Sequence, residues 1–394
     1  MRWNDIREGL PEAVREGCRV VATGDDWDAD RSEVDRFEEI DASPPFDDPP
    51  RVAIIGAGIA GAICARTLLD HGLTVDVFDK GRRPGGRMAT RRVSFDDRHV
   101  HFDHGAQYFT ARDRRFRQYV DSWREQGLVE RWDARLAVIH GGEVTVKEGE
   151  TERFVGTPTM NVIVRHLTED VSPRFSTRVD SAAFHDGRWR LLDEDSVLGS
   201  YDALVASAPA EQTAALLADV DTPVLDAVRS VEMEPTWSVM LAFDAPIATE
   251  FDAAFVHDSP LSWIARNNAK PGRSSEECWL LHSTHDWAFE HIDDDAEDVA
   301  AELTRAFLGE IGFTHGQAPI LHRSAHRWRY AEATPPLEAG ALYDPECRLA
   351  VAGDWVASSR VEGAFLSGCA AAGELLGTLG RPNGRPPPRS TEPQ

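Results

Sequence analysis

Residues 52–61 have the sequence Val-Ala-Ile-Ile-Gly-Ala-Gly-Ile-Ala-Gly, a short apolar strand that leads into a GxGxxG turn. An alanine- and leucine-rich helix follows and is expected to end at Gly72, and Thr74 to Asp79 form the next strand. In such a unit the first glycine permits the tight turn, the second lets the backbone approach a pyrophosphate, and the third lets the helix pack on the strand. The stretch therefore predicts a Rossmann-like dinucleotide-binding domain. The three glycines are Gly56, Gly58 and Gly61.

Two further features of this region concern the cofactor. Asp79 ends the second strand, where a carboxylate can accept hydrogen bonds from a ribose. The segment Arg82-Arg83-Pro84-Gly85-Gly86-Arg87-Met88 follows and resembles the second pyrophosphate-contacting loop of FAD proteins of the glutathione reductase and amine oxidase type. Its glycines permit close approach, and Arg87 offers charge-assisted donors to phosphate.

A late motif points to the same cofactor. Leu349 to Ala352 form a strand that leads into Gly353-Asp354, and a helix begins near Gly363. In these FAD proteins the late Gly-Asp contacts the ribityl chain, and the helix N-terminus faces the flavin pyrimidine edge. There it stabilises the negative charge of the reduced flavin by about 0.3–2 kcal/mol. The three motifs in this order predict FAD.

The sequence holds no second GxGxxG, so a separate NAD(P)H domain of the disulfide-reductase type is not expected. The substrate is instead expected in a second sheet, against the flavin.

The composition limits the partners. The 394 residues include 42 Lys and Arg against 67 Asp and Glu, which gives a formal net charge of −25. Only three of the 42 basic residues are lysines. An acidic surface repels phosphate backbones and anionic membranes, so neither nucleic acid nor a membrane is expected as a partner. Acid excess with scarce lysine favours a halophilic protein, and an ordinary acidic cytosolic protein is the alternative. The five cysteines include no CxxC pair, and the N-terminal residues lack the apolar core of a signal peptide. Both observations favour location in a reducing cytoplasm.

Several blocks between residues 51 and 378 resemble the renalase family of flavin oxidases. The most specific is Asp103-His104-Gly105-Ala106-Gln107-Tyr108-Phe109-Thr110, which resembles the family's LGAQY block with His104 where leucine is usual. Supporting blocks are Asp79-Lys80 with Gly85-Gly86-Arg87-Met88, Lys147-Glu148-Gly149, Phe154-Val155-Gly156, His282-Ser283-Thr284, Arg327-Trp328-Arg329, and Glu362-Gly363 with Cys369.

The resemblance implies a fold and an activity. The fold is α/β (α+β), a Rossmann-like FAD-binding domain with a mixed-sheet substrate domain in the p-hydroxybenzoate hydroxylase and amine oxidase topology. The activity is oxidation of 2- or 6-dihydro isomers of NAD(P): a hydride passes to flavin N5 of noncovalent FAD and on to oxygen, giving NAD(P)+ and hydrogen peroxide. The cofactor contacts predicted from the motifs and the resemblance together are Gly56, Gly58, Ala60, Gly61, Asp79, Lys80, Gly86, Arg87, Gln107, Tyr108, Gly353, Asp354, Gly363 and Ala364.

This chemistry needs few side chains, because the product is aromatic and no proton has to be removed. No catalytic acid or base is therefore assigned, and the protein is expected to position the ring and exclude water. Residues expected to shape the substrate site are Trp263, Asn268, His282 and Trp328. Clustered histidines such as His99 and His101 lack further ligands at motif spacing, so no metal is expected.

Three other functions stay open. Many flavin amine oxidases place a lysine, through water, near flavin N5, and Lys270 is the only lysine in the later part of the substrate sheet. Its Lys-Pro-Gly context predicts a hairpin turn instead. A desaturase or hydroxylase of the same fold, and a non-enzymatic flavin-binding protein, are the other two.

The chain is expected to form a monomer or a homodimer. Within each chain, the segments of two domains are expected to be interleaved. The parts are an acidic arm and linker (1–50), FAD-binding segments (51–130, 171–230 and 331–380), substrate segments (131–170 and 231–330) and a disordered tail (381–394).

Overall fold

The computed structural model describes residues 49–379 except 96, 148, 150, 195 and 314–317. The expected arm and tail therefore lie almost entirely outside the described residues. The predicted α/β fold with a Rossmann-like domain and a second, mixed sheet is confirmed.

The first sheet has six strands in the order β19-β20-β13-β1-β2-β9. All neighbours are parallel except β19 and β20. The strands are β1 (Arg51–Ile55), β2 (Thr74–Asp79), β9 (Arg174–Phe175), β13 (Ala203–Ala206), β19 (Leu342–Asp344) and β20 (Leu349–Val351).

Helices cover one face of this sheet, as its nearly continuous apolar strands require. They are α1 (Ile59–Asp70), α2 (Arg114–Glu125), α3 (Val162–Leu167) and α9 (Val361–Leu379). The first and last cross closely at Gly368, where an added Cβ would lie 2.2 Å from the Ala60 carbonyl oxygen. This crossing brings the late Gly-Asp segment next to the first glycine turn.

The other face packs on a small antiparallel sheet and two short helices, around a core that includes Phe78, Trp189 and Leu204. These elements are β10 (Ser181–His185), β11 (Arg188–Asp193), β12 (Ser196–Tyr201), α4 (Ala210–Leu216) and α5 (Val224–Arg229).

The second sheet has seven strands in the order β18-β14-β17-β16-β15-β6-β7. It is antiparallel except where β15 lies parallel to β6. The strands are β6 (Leu136–His140), β7 (Glu143–Lys147), β14 (Met233–Phe243), β15 (Ala253–His257), β16 (Leu261–Arg266), β17 (Cys278–Ser283) and β18 (Ile320–Ala333).

The two faces of the second sheet differ. A long helix, Ala296–Glu310, packs on one face through Leu303 and Phe307 against Phe243 and Trp279. On the other face a hairpin packs through Val100 and Phe102, and the remainder of that face borders a cavity. The remaining elements are β3 (Arg91–Phe95), β4 (Arg98–Phe102), β5 (Val129–Arg131), β8 (Phe154–Gly156), α6 (His285–Glu290), α7 (Ala296–Glu310) and α8 (Asp354–Ala357).

The chain passes repeatedly between the two sheets, and the division into interleaved segments remains our proposal. Helix α3 lies within the segment 131–170, and its Ile163, Val164 and Leu167 share one core with α1 and with second-sheet residues such as Trp263. The hydrophobic period predicts that a helix forms, but it does not predict which sheet the helix covers.

Candidate active site

A cavity of about 1920 Å³ runs from the carboxyl end of β2 to the open face of the second sheet. Pockets for small molecules typically measure about 300–1,000 Å³, so this space can hold a dinucleotide cofactor together with a substrate. Twelve of the fourteen predicted cofactor contacts line it. The two that do not are Gly61 and Gly363, which are packed against backbone.

The glycine turn has the geometry that a pyrophosphate needs. An added Cβ at Gly61 would lie 2.0 Å from the Gly56 carbonyl oxygen, so this glycine lets helix and turn pack together. At Gly58 an added Cβ would meet nothing within 4 Å, and the residue lines the cavity. The uncapped N-terminus of α1 at Gly58 offers N–H groups and a partial positive charge toward this space.

The second glycine loop is fixed to the first. The Gly85 N–H donates to the Ala57 carbonyl (3.0 Å), and an added Cβ at Gly86 would lie 3.2 Å from the Gly58 Cα. The Asp79 carboxylate accepts from the N–H groups of Ala57 and Gly81, both at 2.6 Å. This carboxylate therefore organises both loops at the place where a ribose contact is expected.

Arg87 and Asp354 form a bidentate ion pair at 2.7 and 2.5 Å, although 267 positions separate them. Arg87 also donates to the Ala331 carbonyl at 3.1 Å. A guanidinium has five N–H donors, and these contacts use three of them. The pair thus joins the two predicted FAD motifs and leaves donors for a phosphate.

The loop from Gly105 to Tyr108 forms the wall between the two sheets. An added Cβ at Gly105 would lie 2.0 Å from the Arg87 carbonyl oxygen, which fixes this loop on the second glycine loop. The Gln107 amide donates to the carbonyls of Asp103 and Gly105 and accepts from the Lys270 ammonium at 3.1 Å. Its orientation in the cavity wall is therefore fixed on both sides.

Behind Gln107 lies a buried group of charges. The Asp103 carboxylate pairs with Arg273 at 2.5 Å and with Lys270 at 3.6 Å, and all three side chains are at most 1 % exposed. Thr90 and the Met160 N–H also donate to Asp103. Burial alone would raise the pKa of Asp103, but the two cations hold it below its usual value.

Lys270 lies in the β16–β17 connection, as its Lys-Pro-Gly context predicts. Its ammonium is nevertheless buried and lies 5.6 Å from the centre of the Trp132 ring. Burial lowers the pKa of Lys270 to about 8, although Asp103 opposes this shift. Lys270 does not itself line the cavity and contacts it through Gln107.

Three rings pack together where the second sheet meets the cavity. His104, His326 and Trp328 have ring centres 4.5–5.0 Å apart. The His104 carbonyl accepts from Ser238, Trp328 and His282. Burial lowers the pKa of His104 to about 3 and the pKa values of His282 and His326 to about 4, so these imidazoles are neutral near pH 7.

Three of the four predicted substrate-shaping residues line the cavity: Trp263, His282 and Trp328. Trp263 packs against Tyr108 and Phe255 at 5.7 and 4.8 Å. The fourth, Asn268, does not line it. Its amide accepts from the Cys278 N–H at 3.0 Å and so fixes the β16–β17 connection.

The charge of the cavity wall is opposite to that of the protein. Ten Lys and Arg residues line the cavity against four Asp and Glu residues, whereas acids outnumber bases in the whole chain by 67 to 42. A cleft lined by one sign of charge focuses the potential and attracts ligands of the opposite sign. The cavity is therefore suited to anionic ligands.

Fold and cavity together define a flavin-dependent oxidoreductase, and comparison with known proteins gives the family. Residues 127–376 match the family described as flavin containing amine oxidoreductase, and residues 54–123 match the NAD(P)-binding Rossmann-like domain. The chain belongs to the flavin containing amine oxidoreductases, and its cofactor is FAD.

Individual relatives are distant. Renalase of Mus musculus is 22 % identical over 303 residues, which are 72 % of this chain and 85 % of that protein, and the predicted resemblance to renalases is thereby confirmed. The tRNA 5-methylaminomethyl-2-thiouridine biosynthesis bifunctional protein MnmC of Caulobacter sp. (strain K31) is 27 % identical over 76 % of this chain and 50 % of its own length. The solved structure of cyclohexylamine oxidase from Brevibacterium oxydans IH-35A covers 84 % of this chain and all of its own, with a TM-score of 0.67 and 13 % identity.

Sequence reasoning missed the partners of Asp103. Arg273 follows Lys270 by three residues, and both meet an acid that precedes the Gly105–Tyr108 loop. The available signal was Asp103 itself, which begins the most specific of the blocks that resemble renalases; nothing near Lys270 or Arg273 in the sequence indicates their partner.

Two negative findings concern the described part of the chain. No helix there is long and apolar enough to cross a membrane. Within the same residues, no group of three or more His, Cys, Asp or Glu side chains is placed to hold a metal ion.

Proposed function

We propose that the protein oxidises 2- or 6-dihydro isomers of NAD(P), with FAD as hydride acceptor and oxygen as the final oxidant, producing NAD(P)+ and hydrogen peroxide. The observation that carries the proposal is the excess of cations in the wall of the cavity. FAD brings two phosphates, which the glycine loops and the N-terminus of α1 would bind. The remaining positive charge favours a second phosphate-bearing ligand over an amine, which is itself a cation near pH 7.

The side chains next to Trp263 suit a reaction that needs no base. His282, which pairs with Trp263 across β16 and β17, is neutral because burial lowers its pKa to about 4, so it is a poor base at pH 7. Trp263, Tyr108 and Phe255 form an aromatic wall that can orient a flat ring and exclude water. The residues of this chain bind and orient the substrate, and FAD supplies the redox chemistry when it is bound.

FAD is proposed to bind without a covalent link. The described cysteines are Cys64, Cys278, Cys347 and Cys369, and none of the four lines the cavity. Acid precipitation of the yellow holoprotein should therefore release all of the flavin into the supernatant, measured by absorbance. Flavin colour that stays with the pellet would contradict noncovalent binding.

Turnover in air tests the proposed substrate. The holoprotein should release peroxide with 6-dihydro-NAD or 2-dihydro-NAD at a kcat/KM at least about 100-fold above that with ordinary NADH or with primary amines. This ratio corresponds to about 2.7 kcal/mol of selective transition-state binding. Equal values for the isomers and NADH would contradict the proposal, and peroxide from amines alone would replace it.

Amine oxidation is the second candidate, and Lys270 is the observation that favours it. A buried lysine with a pKa of about 8 is uncommon outside functional sites. Against this function, the ammonium contacts Asp103 and Gln107 and does not reach the cavity. The amine arm of the turnover assay decides between the two functions.

A further inference from the structure

We propose that Arg91, together with the rings of His326 and Trp328, forms a subsite for the adenosine-diphosphate half of a dinucleotide substrate. The inference rests on the proposed function, because it assumes that the substrate is a nicotinamide dinucleotide. It adds which residues distinguish a dinucleotide from the reactive ring alone.

The position of Arg91 is set by its strand. Side chains alternate along a strand, so residues 91, 93 and 95 of β3 share one face. Val93 and Phe95 pack against the cluster of Met240 and Ala242 on the second sheet. Arg91 is therefore directed toward the same sheet, and it lines the cavity.

The rings provide a neutral surface beside this charge. His326 and Trp328 are two residues apart on β18, so their side chains share one face of the strand, which borders the cavity. Their ring centres are 4.5 Å apart. The charge of Arg91 adds to burial in lowering the pKa values of His104 and His326, which is consistent with its lying near both. An arginine beside flat neutral rings matches a ligand in which phosphate adjoins a purine, since guanidinium binds phosphate and rings stack on bases.

This corner is separate from the place assigned to the FAD phosphates. Gly58 and Gly86 mark that place, and Arg87 is held there by Asp354. Arg91 lies beyond the 3-10 turn Gly86–Met88, at the start of the hairpin that packs on the second sheet. The cavity is large enough for both ligands.

Binding of ADP-ribose to the FAD-loaded protein tests the subsite without turnover. Isothermal titration should give a Kd about tenfold higher for Arg91→Ala than for wild type, as expected for loss of one charge-assisted phosphate contact. The matched control is Arg98→Ala, on the paired strand β4 of the same hairpin. Arg98 pairs with Asp244 and does not line the cavity, so its removal should leave the Kd unchanged.

Kinetics with a truncated substrate provide the second readout. For Arg91→Ala the KM for 6-dihydro-NAD should rise about tenfold, while the KM for the 6-dihydro mononucleotide, whose adenosine half is missing, should stay within about twofold of wild type. If Arg91→Ala behaves like Arg98→Ala, or raises both KM values equally, the subsite is refuted. If wild type oxidises neither isomer but still binds ADP-ribose through Arg91, the proposed function fails while the subsite stands.

Discussion

Gly58→Ala is expected to leave the apoprotein as stable as wild type and to weaken FAD binding on the order of 10- to 100-fold. The backbone at Gly58 is extended (φ −79°, ψ −179°), which alanine adopts freely, and the added Cβ would meet no protein atom within 4 Å. The methyl group would instead occupy the space assigned to the pyrophosphate. Overpacking of this kind costs about 1–3 kcal/mol, and each 1.4 kcal/mol is about tenfold in Kd.

The matched control for this variant is Gly61→Ala, three residues along the same turn. Its Cβ would lie 2.0 Å from the Gly56 carbonyl oxygen, so the control should lose thermal stability even without FAD. Flavin fluorescence titration gives the FAD affinity, and a thermal melt of each apoprotein gives the stability. FAD binding by Gly58→Ala as tight as wild type would show that the phosphates lie elsewhere.

Asp103→Ala is expected to destabilise the protein by about 3–5 kcal/mol, because it leaves Lys270 and Arg273 buried without their counter-charge. Asp244→Ala is the control, since it breaks the exposed pair with Arg98 and should cost about 0–1 kcal/mol. Denaturant unfolding of both holoproteins measures the difference. Equal losses would mean that the buried group is not the structural support of the Gln107 loop.

The parts of the site that could be predicted are those carried by local sequence. The glycine turn, the strand that ends at Asp79 and the late Gly353-Asp354 each follow from residues close together in the chain. Each residue type also has a clear physical role in such a place: glycine permits close approach of the backbone, and aspartate accepts hydrogen bonds. These motifs, together with the family resemblance that supplied Gln107 and Tyr108, account for the twelve predicted cofactor contacts that line the cavity.

The parts that could not be predicted depend on long-range pairing. Nothing local indicates that Arg87 meets Asp354, or that Lys270 is buried against Asp103 and Gln107. The Lys-Pro-Gly context correctly predicts a turn, but burial of the lysine depends on an acid 167 positions earlier. Asn268 is predicted to shape the substrate site, but its amide instead accepts a hydrogen bond from the Cys278 N–H within the β16–β17 connection.

The excess of cations in the cavity is likewise visible only after folding. In the sequence the arginines are spread over a chain of net charge −25, and the composition alone argues against phosphate-bearing partners. The fold gathers ten basic residues around one cavity. A protein can therefore repel polyanions from its surface and still attract a small anionic ligand to its interior.

Anaerobic stopped-flow mixing of the FAD-loaded protein with 6-dihydro-NAD tests the central claim most directly, because it observes the flavin itself and needs no oxygen. The account predicts that the flavin absorbance bleaches rapidly with the 6- or 2-dihydro isomer and at least about 100-fold more slowly with NADH or a primary amine, a difference of about 2.7 kcal/mol in barrier. Rapid bleaching by amines, with none by either isomer, would contradict it.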